Sequence, residues 1–318
     1  MSWLIFALGL ILVVGVSVLV ASFLFTRSVA GKVRASMPPA GQFVDVAGGR
    51  LHYVEKGEGQ PIVMIHGLSG NLHNFTYALM DRLADRYRVI AVDRPGCGHS
   101  TRDSDAQARL PNQAAMIAEF IEKLGLENPL IVGHSLGGAV SLFLASDHPE
   151  RVGGLAMVSP LVAIQDRAPD VFKAIELPSP LVRNLIANTV AIPASIRRGA
   201  KVLDIVFSPE APPIDFRIKG GGMLTLRPEA FYAASTDLMS VPLDIHELQT
   251  RYAGLSTPMG MLYGDGDAVL EHQKHIQALR DHQPDLHIEV LEGGGHMPVV
   301  TQAEATAAFI DTMARKIA

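Results

Sequence analysis

The segment Leu130 to Val140, LIVGHSLGGAV, sets a serine between glycines in the order Gly133-His134-Ser135-Leu136-Gly137. This is the G-x-S-x-G pattern, in which small residues two before and two after the serine leave room for a strained strand-to-helix turn that projects the hydroxyl outward. A hydroxyl so placed can attack a carbonyl carbon. The backbone amide of Leu136, at the N-terminus of the helix that follows, points the same way and can hold the oxyanion that forms. The rival reading is a glycine-flanked turn whose serine only caps the helix.

A serine hydroxyl is a poor nucleophile until a nearby base takes its proton, and that base needs a third group to fix its tautomer. His296 stands in EGGGHMP, after the last expected strand and before the closing helix, with three glycines to let the ring swing over the sheet edge. Among 12 histidines it alone has that position. For the acid, YGDGDAVL offers Asp265 and Asp267 on the loop after the preceding strand. Either completes the order Ser, Asp, His. A second amide for the oxyanion is expected from Leu68 in His66-Gly67-Leu68, because Gly67 allows the backbone to turn after a buried strand.

These residues need a sheet to converge on. Gln42 onward alternates around Gly48-Gly49 as a hairpin, and PIVMIH from Pro61 to His66 reads as a buried strand. A helix is expected over 71–86, where Leu72, Phe75, Leu79 and Leu83 recur at helical spacing, followed by a strand at YRVIAVD and a helix over 112–126. The Leu130 strand and its helix come next, then VGGLAMVSP. Alternation of this kind implies a mostly parallel sheet covered on both faces. It breaks after Pro160. From Leu161 to Leu255 the chain is proline-rich with short helical patterns, one over 195–207, and reads as a helical cap inserted over the sheet. Strands at PMGMLYG and LHIEVLE, a helix over 271–281 and a last helix over 302–317 complete the core.

At 318 residues and 48% hydrophobic content, one large α/β domain with an insertion fits. A net charge of -5 with no basic cluster argues against nucleic acid as a partner. Cys97 stands alone, and there is no CxxC, no HExxH and no metal-ligand cluster, so neither a metal nor a cofactor is expected. Trp3 to Phe25 is 23 residues without a charge, enough for a helix to cross a bilayer core. It exceeds the h-region of a signal peptide and lacks a basic n-region, so an uncleaved single-pass anchor in the cell (inner) membrane is expected, with the lipid bilayer as partner. Arg27, Lys32 and Arg34 follow the span and favour a cytosolic catalytic domain by the positive-inside rule, a periplasmic one being the other placement. Ser17 and Ala21 form a small-xxx-small pair compatible with a homodimer.

From about Gln42 to the C-terminus the chain resembles the α/β-hydrolase superfamily, on the segments HGLSG, DRPGCGHS, GHSLGG, GDGD and GGGHMP. The resemblance implies an α/β-hydrolase fold, with the core at 42–160 and 256–318 and the cap at 161–255; the residues before it are expected to form an anchor at 1–27 and a juxtamembrane linker at 28–41. Family members commonly place the acid at the fourth position of G-x-x-D, which falls on Asp267. Related haloalkane dehalogenases and epoxide hydrolases carry aspartate at the nucleophile, so Ser135 favours ester hydrolysis. With its anchor the chain is similar to bacterial membrane-anchored esterases and phospholipases A, which implies ester or lipid substrates with an acyl chain. Two other readings stand beside this one: a tethered hydrolase of small esters or carbon-carbon bonds, and a non-catalytic binding module on the same fold.

Overall fold

A computed structural model describes residues 2–165 and 170–317; residues 166–169 of the expected cap lie outside the described residues. Eight strands form one sheet: β1 (Gln42–Val46), β2 (Gly49–Lys56), β3 (Pro61–Ile65), β4 (Arg88–Val92), β5 (Leu130–His134), β6 (Gly154–Val158), β7 (Met259–Gly264) and β8 (His287–Leu291). Their order is β1-β2-β4-β3-β5-β6-β7-β8. The first hairpin and the β2–β4 pair are antiparallel, and every later pairing is parallel. β5 is buried along its whole length, as a strand covered on both faces must be.

The helices are α1 (Ser2–Ser36), α2 (His73–Thr76), α3 (Leu79–Leu83), α4 (Leu110–Lys123), α5 (Leu136–Asp147), α6 (Pro180–Asn188), α7 (Ala191–Phe207), α8 (Phe216–Lys219), α9 (Pro228–Gln249), α10 (His272–Arg280), α11 (Pro298–Thr301) and α12 (Ala303–Arg315). One apolar core, with α4 and α5, lies on one face of the sheet, and a second, with α3 and α12, on the other. Helices α6 to α9 form the cap between β6 and β7.

Two expectations change. The segment 28–41, expected as a linker, is helical in its first part: α1 runs on to Ser36 and stops before Pro38-Pro39. Ala, Lys and Arg sustain a helix, and a proline restricts the residue before it away from helical geometry. This extension packs against the cap, burying Thr26, Ala30 and Val33. Ser22 and Thr26 donate their hydroxyls to the Thr189 carbonyl at 3.0 and 2.8 Å, and Arg34 grips both oxygens of Glu229. The helix expected over 71–86 is likewise two short helices, with Ala78 out of helical geometry between them. Cap contacts account for the break, since Asn71 and Asn74 donate to the Gly221 and Gly220 carbonyls and Tyr77 to Asp215.

Candidate active site

Parallel strands deliver their C-terminal ends to one sheet edge, and that edge is where open α/β sheets bind ligands. His66 follows β3, Ser135 follows β5, Asp267 follows β7 and His296 follows β8. Ser135 holds φ at 54° and ψ at -119°, a conformation non-glycine residues rarely keep. The glycines explain how it fits: a Cβ on Gly133 would lie 2.4 Å from the Ser141 hydroxyl, and one on Gly137 would lie 2.0 Å from the Ile65 carbonyl oxygen. Although Ser135 occupies the N-cap position of α5, its side chain makes no capping bond. It reaches His296 instead.

His296 Nε2 lies 3.0 Å from Ser135 Oγ, and His296 Nδ1 lies 2.7 Å from Asp267 Oδ2. A carboxylate can only accept, so Nδ1 carries the proton and Nε2 presents its lone pair to the hydroxyl. The Asp267 side chain is fully buried and that of His296 nearly so. Burial pushes the Asp267 carboxyl up, but His296 and the amides of Leu270 and Val269 outweigh it and hold the group below its ordinary value. The exposed Asp265 does not touch His296; it accepts from the Gly293 amide at 2.7 Å. The four groups Ser135, His296, Gly67 and Leu68 line one cavity of about 1030 Å³ under the cap. Cys97 also lines it, but burial pushes its thiol up to about 11 and leaves it protonated.

The Leu68 and Leu136 amides have no acceptor among the described residues, and Gly67 abuts Ser135, its Cβ position lying 2.8 Å from the Ser135 Cβ. The direction of the Leu68 amide is fixed from behind. The Gly67 carbonyl, in the same peptide, accepts from His66 Nδ1 at 2.8 Å and from Arg94 Nη2 at 3.1 Å. In a trans peptide the N–H points opposite its carbonyl, so the Leu68 amide faces away from Arg94. His66 Nε2 accepts from the Arg94 amide at 3.0 Å, which assigns the proton to Nδ1. Burial, with the Arg94 charge, pushes His66 down to about 4 and keeps it neutral.

Sequence reasoning missed Arg94, Asp237, Glu210 and His134 as supports. Arg94 is fully buried and pairs with Asp237 of α9 at 2.8 Å, while Glu210 accepts from the Gly295 amide at 3.0 Å. His134 Nε2 donates to the His296 carbonyl at 2.8 Å, and burial, with the charge of His296, pushes His134 down to about 3. The available signal was a charge straight after an apolar strand, in Asp93-Arg94. Its counter-ion Asp237 lies 143 residues away and leaves no local pattern. No group of three or more His, Cys, Asp or Glu among the described residues is arranged to hold a metal ion.

The family described as alpha/beta hydrolase fold matches residues 60–186. A dihydrolipoyllysine-residue acetyltransferase component of the acetoin cleaving system from Cupriavidus necator is 44% identical over 121 residues, covering 38% of this chain and 32% of that protein. Haloalkane dehalogenase 2 of Mycobacterium tuberculosis is 34% identical over 125 residues, covering 38% and 42%. The chain thus spans less than half the length of these two relatives. Among solved structures, a bacterial membrane phospholipase A described as a virulence factor superposes with a TM-score of 0.66 and 25% identity, covering 98% of this chain and 99% of that one.

Proposed function

Since the chain belongs to the α/β-hydrolase superfamily, we propose that it is a membrane-anchored serine hydrolase that cleaves carboxylic esters of acyl-chain lipids. The observation that carries this reading is Ser135 Oγ at 3.0 Å from His296 Nε2, on a strained turn that faces the cavity. In the proposed reaction His296 takes the Ser135 proton as the hydroxyl oxygen attacks the ester carbonyl. The Leu68 and Leu136 amides bind the oxyanion, and Asp267 supports the imidazolium. Collapse expels the alcohol, protonated by His296, and leaves an acyl-Ser135. Water, deprotonated by the same base, releases the acid.

Membrane proximity supports lipid substrates. Helix α1 is long and apolar enough to cross a membrane, with mean hydropathy 3.0 over its best window. It docks on the cap at Thr189, close in sequence to Leu185, which is 56% exposed. Leu181 is 84% exposed on the same helix, whereas Ile192 and Phe207 are buried as ordinary cap core. Arg27, Lys32 and Arg34 favour the cytosolic side for the domain, and protease protection in inverted vesicles separates that from a periplasmic placement.

The test is a chain-length series of p-nitrophenyl esters on the full chain in nonionic micelles, followed by a phospholipid and a monoacylglycerol. Turnover rising with acyl length and extending to lipids supports the reading. Activity confined to acetyl esters would overturn the lipid assignment in favour of a small-ester hydrolase.

A further inference from the structure

Helix α7 forms one wall of the cavity, and its C-terminal half lines it with Arg198, Lys201, Val202, Leu203, Ile205 and Val206. The wall changes character along its length. The turn from Arg198 to Lys201 is cationic, the lining residues after it are apolar, and the helix ends at Phe207, beside the loop that carries His296, where a Cβ on Gly295 would lie 2.7 Å from the Phe207 carbonyl oxygen. A third cation converges on this mid-helix turn. Arg217, from α8, lays its guanidinium over Gly199, with Nη2 2.7 Å from where a Cβ would stand, so any larger residue at 199 would displace it.

Arg198, Lys201 and Arg217 make no ion pair with any carboxylate among the described residues. The acidic groups nearby are engaged or stand off. Asp170, on the cavity wall, pairs with Lys173, and Asp215 pairs with Lys219 and accepts from Tyr77. Asp204 follows Lys201 on α7 and, like Arg198, Lys201 and Arg217, is exposed, but unlike them it does not line the cavity. Three gathered cations therefore line the cavity of a chain whose net charge is -5. Such clusters raise the local concentration of an anionic ligand, and guanidinium groups suit the oxygen geometry of a phosphate.

We infer that Arg198, Lys201 and Arg217 form an anion-recognition site for the phosphate head group of an acyl ester, making phosphate-bearing lipids the preferred substrates. This rests on the ester-hydrolase reading for its catalytic consequence. The geometry is commensurate: from Lys201 to Phe207 the helix rises about 9 Å, the scale of a glycerol bridge between a phosphate and an ester carbonyl. The glycerol bridge then lies along the apolar residues after Lys201 and the carbonyl reaches Ser135.

Binding and turnover separate this inference from the reading beneath it. The full chain in nonionic micelles is titrated calorimetrically with dodecyl phosphate, and with inorganic phosphate as competitor. The Arg198→Gln, Lys201→Gln, Arg217→Gln triple variant is expected to bind dodecyl phosphate at least tenfold more weakly, while Arg198→Lys with Arg217→Lys retains most of the affinity. Equal binding by wild type and the triple variant would overturn the site. Displacement by inorganic phosphate at equimolar concentration would overturn the head-group assignment in favour of free phosphate. In turnover, wild type is expected to prefer a lysophosphatidylglycerol over a monoacylglycerol of equal chain length by at least tenfold in kcat/KM, and the triple variant to lose that preference. Hydrolysis of p-nitrophenyl esters without any preference for the phosphate-bearing lipid would overturn the inference alone. Failure to hydrolyse any ester would overturn the proposed function, and the calorimetric comparison would still decide the site.

Discussion

Arg94, just past the end of β4, and Asp237, midway along α9 of the cap, form an ion pair at 2.8 Å with both side chains fully buried. The same guanidinium donates to the His66 and Gly67 carbonyls, so the cap is tied through one residue to the peptide that bears the Leu68 amide. Arg102 contacts the other Asp237 oxygen at 2.5 Å. On the opposite side Glu210 holds the Gly295 amide and the Thr301 hydroxyl, beside His296. Two cap carboxylates thus brace the two loops that flank Ser135.

Asp237→Asn removes the counter-charge of two buried arginines. Loss of one partner of a buried pair costs about 3–5 kcal/mol, because a charge stays buried without compensation. We expect a clear drop in thermal midpoint and a fall in kcat larger than any change in KM, as the Gly67–Leu68 peptide loses its fixed direction. Unchanged stability with unchanged kcat would show that the pair supports neither the fold nor the site.

Ser135→Gly separates chemistry from strain. The native φ of 54° costs a serine about 1–3 kcal/mol, while glycine adopts it freely at an entropic cost of about 0.5–1 kcal/mol. The variant should lose ester turnover and melt at or above the wild-type temperature. Residual turnover beyond a trace in purified variant protein would remove Ser135 as the nucleophile.

The two aspartates of the GDGD loop should differ sharply. Asp267→Asn leaves His296 Nδ1 with an amide in place of a carboxylate and is expected to lower kcat by several orders of magnitude. Asp265→Asn weakens only the bond to the Gly293 amide and should change kcat by less than about tenfold. The reverse ranking in kcat would reassign the acid.

The sheet and the positions of Ser135 and His296 were legible because each depends on local pattern: an apolar run, a glycine-flanked serine, a histidine after the last strand. Asp265 and Asp267 were not separable from spacing alone. The resemblance chose between them, and in the fold it is Asp267 that reaches His296. The course of α1 to Ser36, the break at Ala78 and the roles of Arg94, Asp237 and Glu210 were hidden for one reason. Each depends on the cap, whose contacts join residues far apart in the chain and carry no periodic signal.

The buried histidines predict how stability responds to acid. Burial pushes His66 and His275 down to about 4, and His134 to about 3, from an ordinary value near 6.5. Between those values the unfolded chain takes up protons that the folded chain excludes, so stability falls as pH falls, by about 1.4 kcal/mol per pH unit for each histidine. Asp93 and Asp267 act in the same sense but in a lower window: their carboxyls are held below the ordinary carboxylate value, so their contribution persists from about pH 8 to about pH 4.5 and is lost only at lower pH. The urea midpoint of the full chain in nonionic micelles, followed from about pH 8 to about pH 4.5, should be flat above neutrality and decline steeply below about 6.5. His275 Nδ1 accepts from the Val162 and Ala163 amides, and in a His275→Gln variant the side-chain carbonyl oxygen can take over that acceptor role without a titrating group. That variant should flatten the acid limb by about 1.4 kcal/mol per pH unit. A midpoint independent of pH across the window would mean that these rings take up protons in the folded protein and are not held neutral by burial.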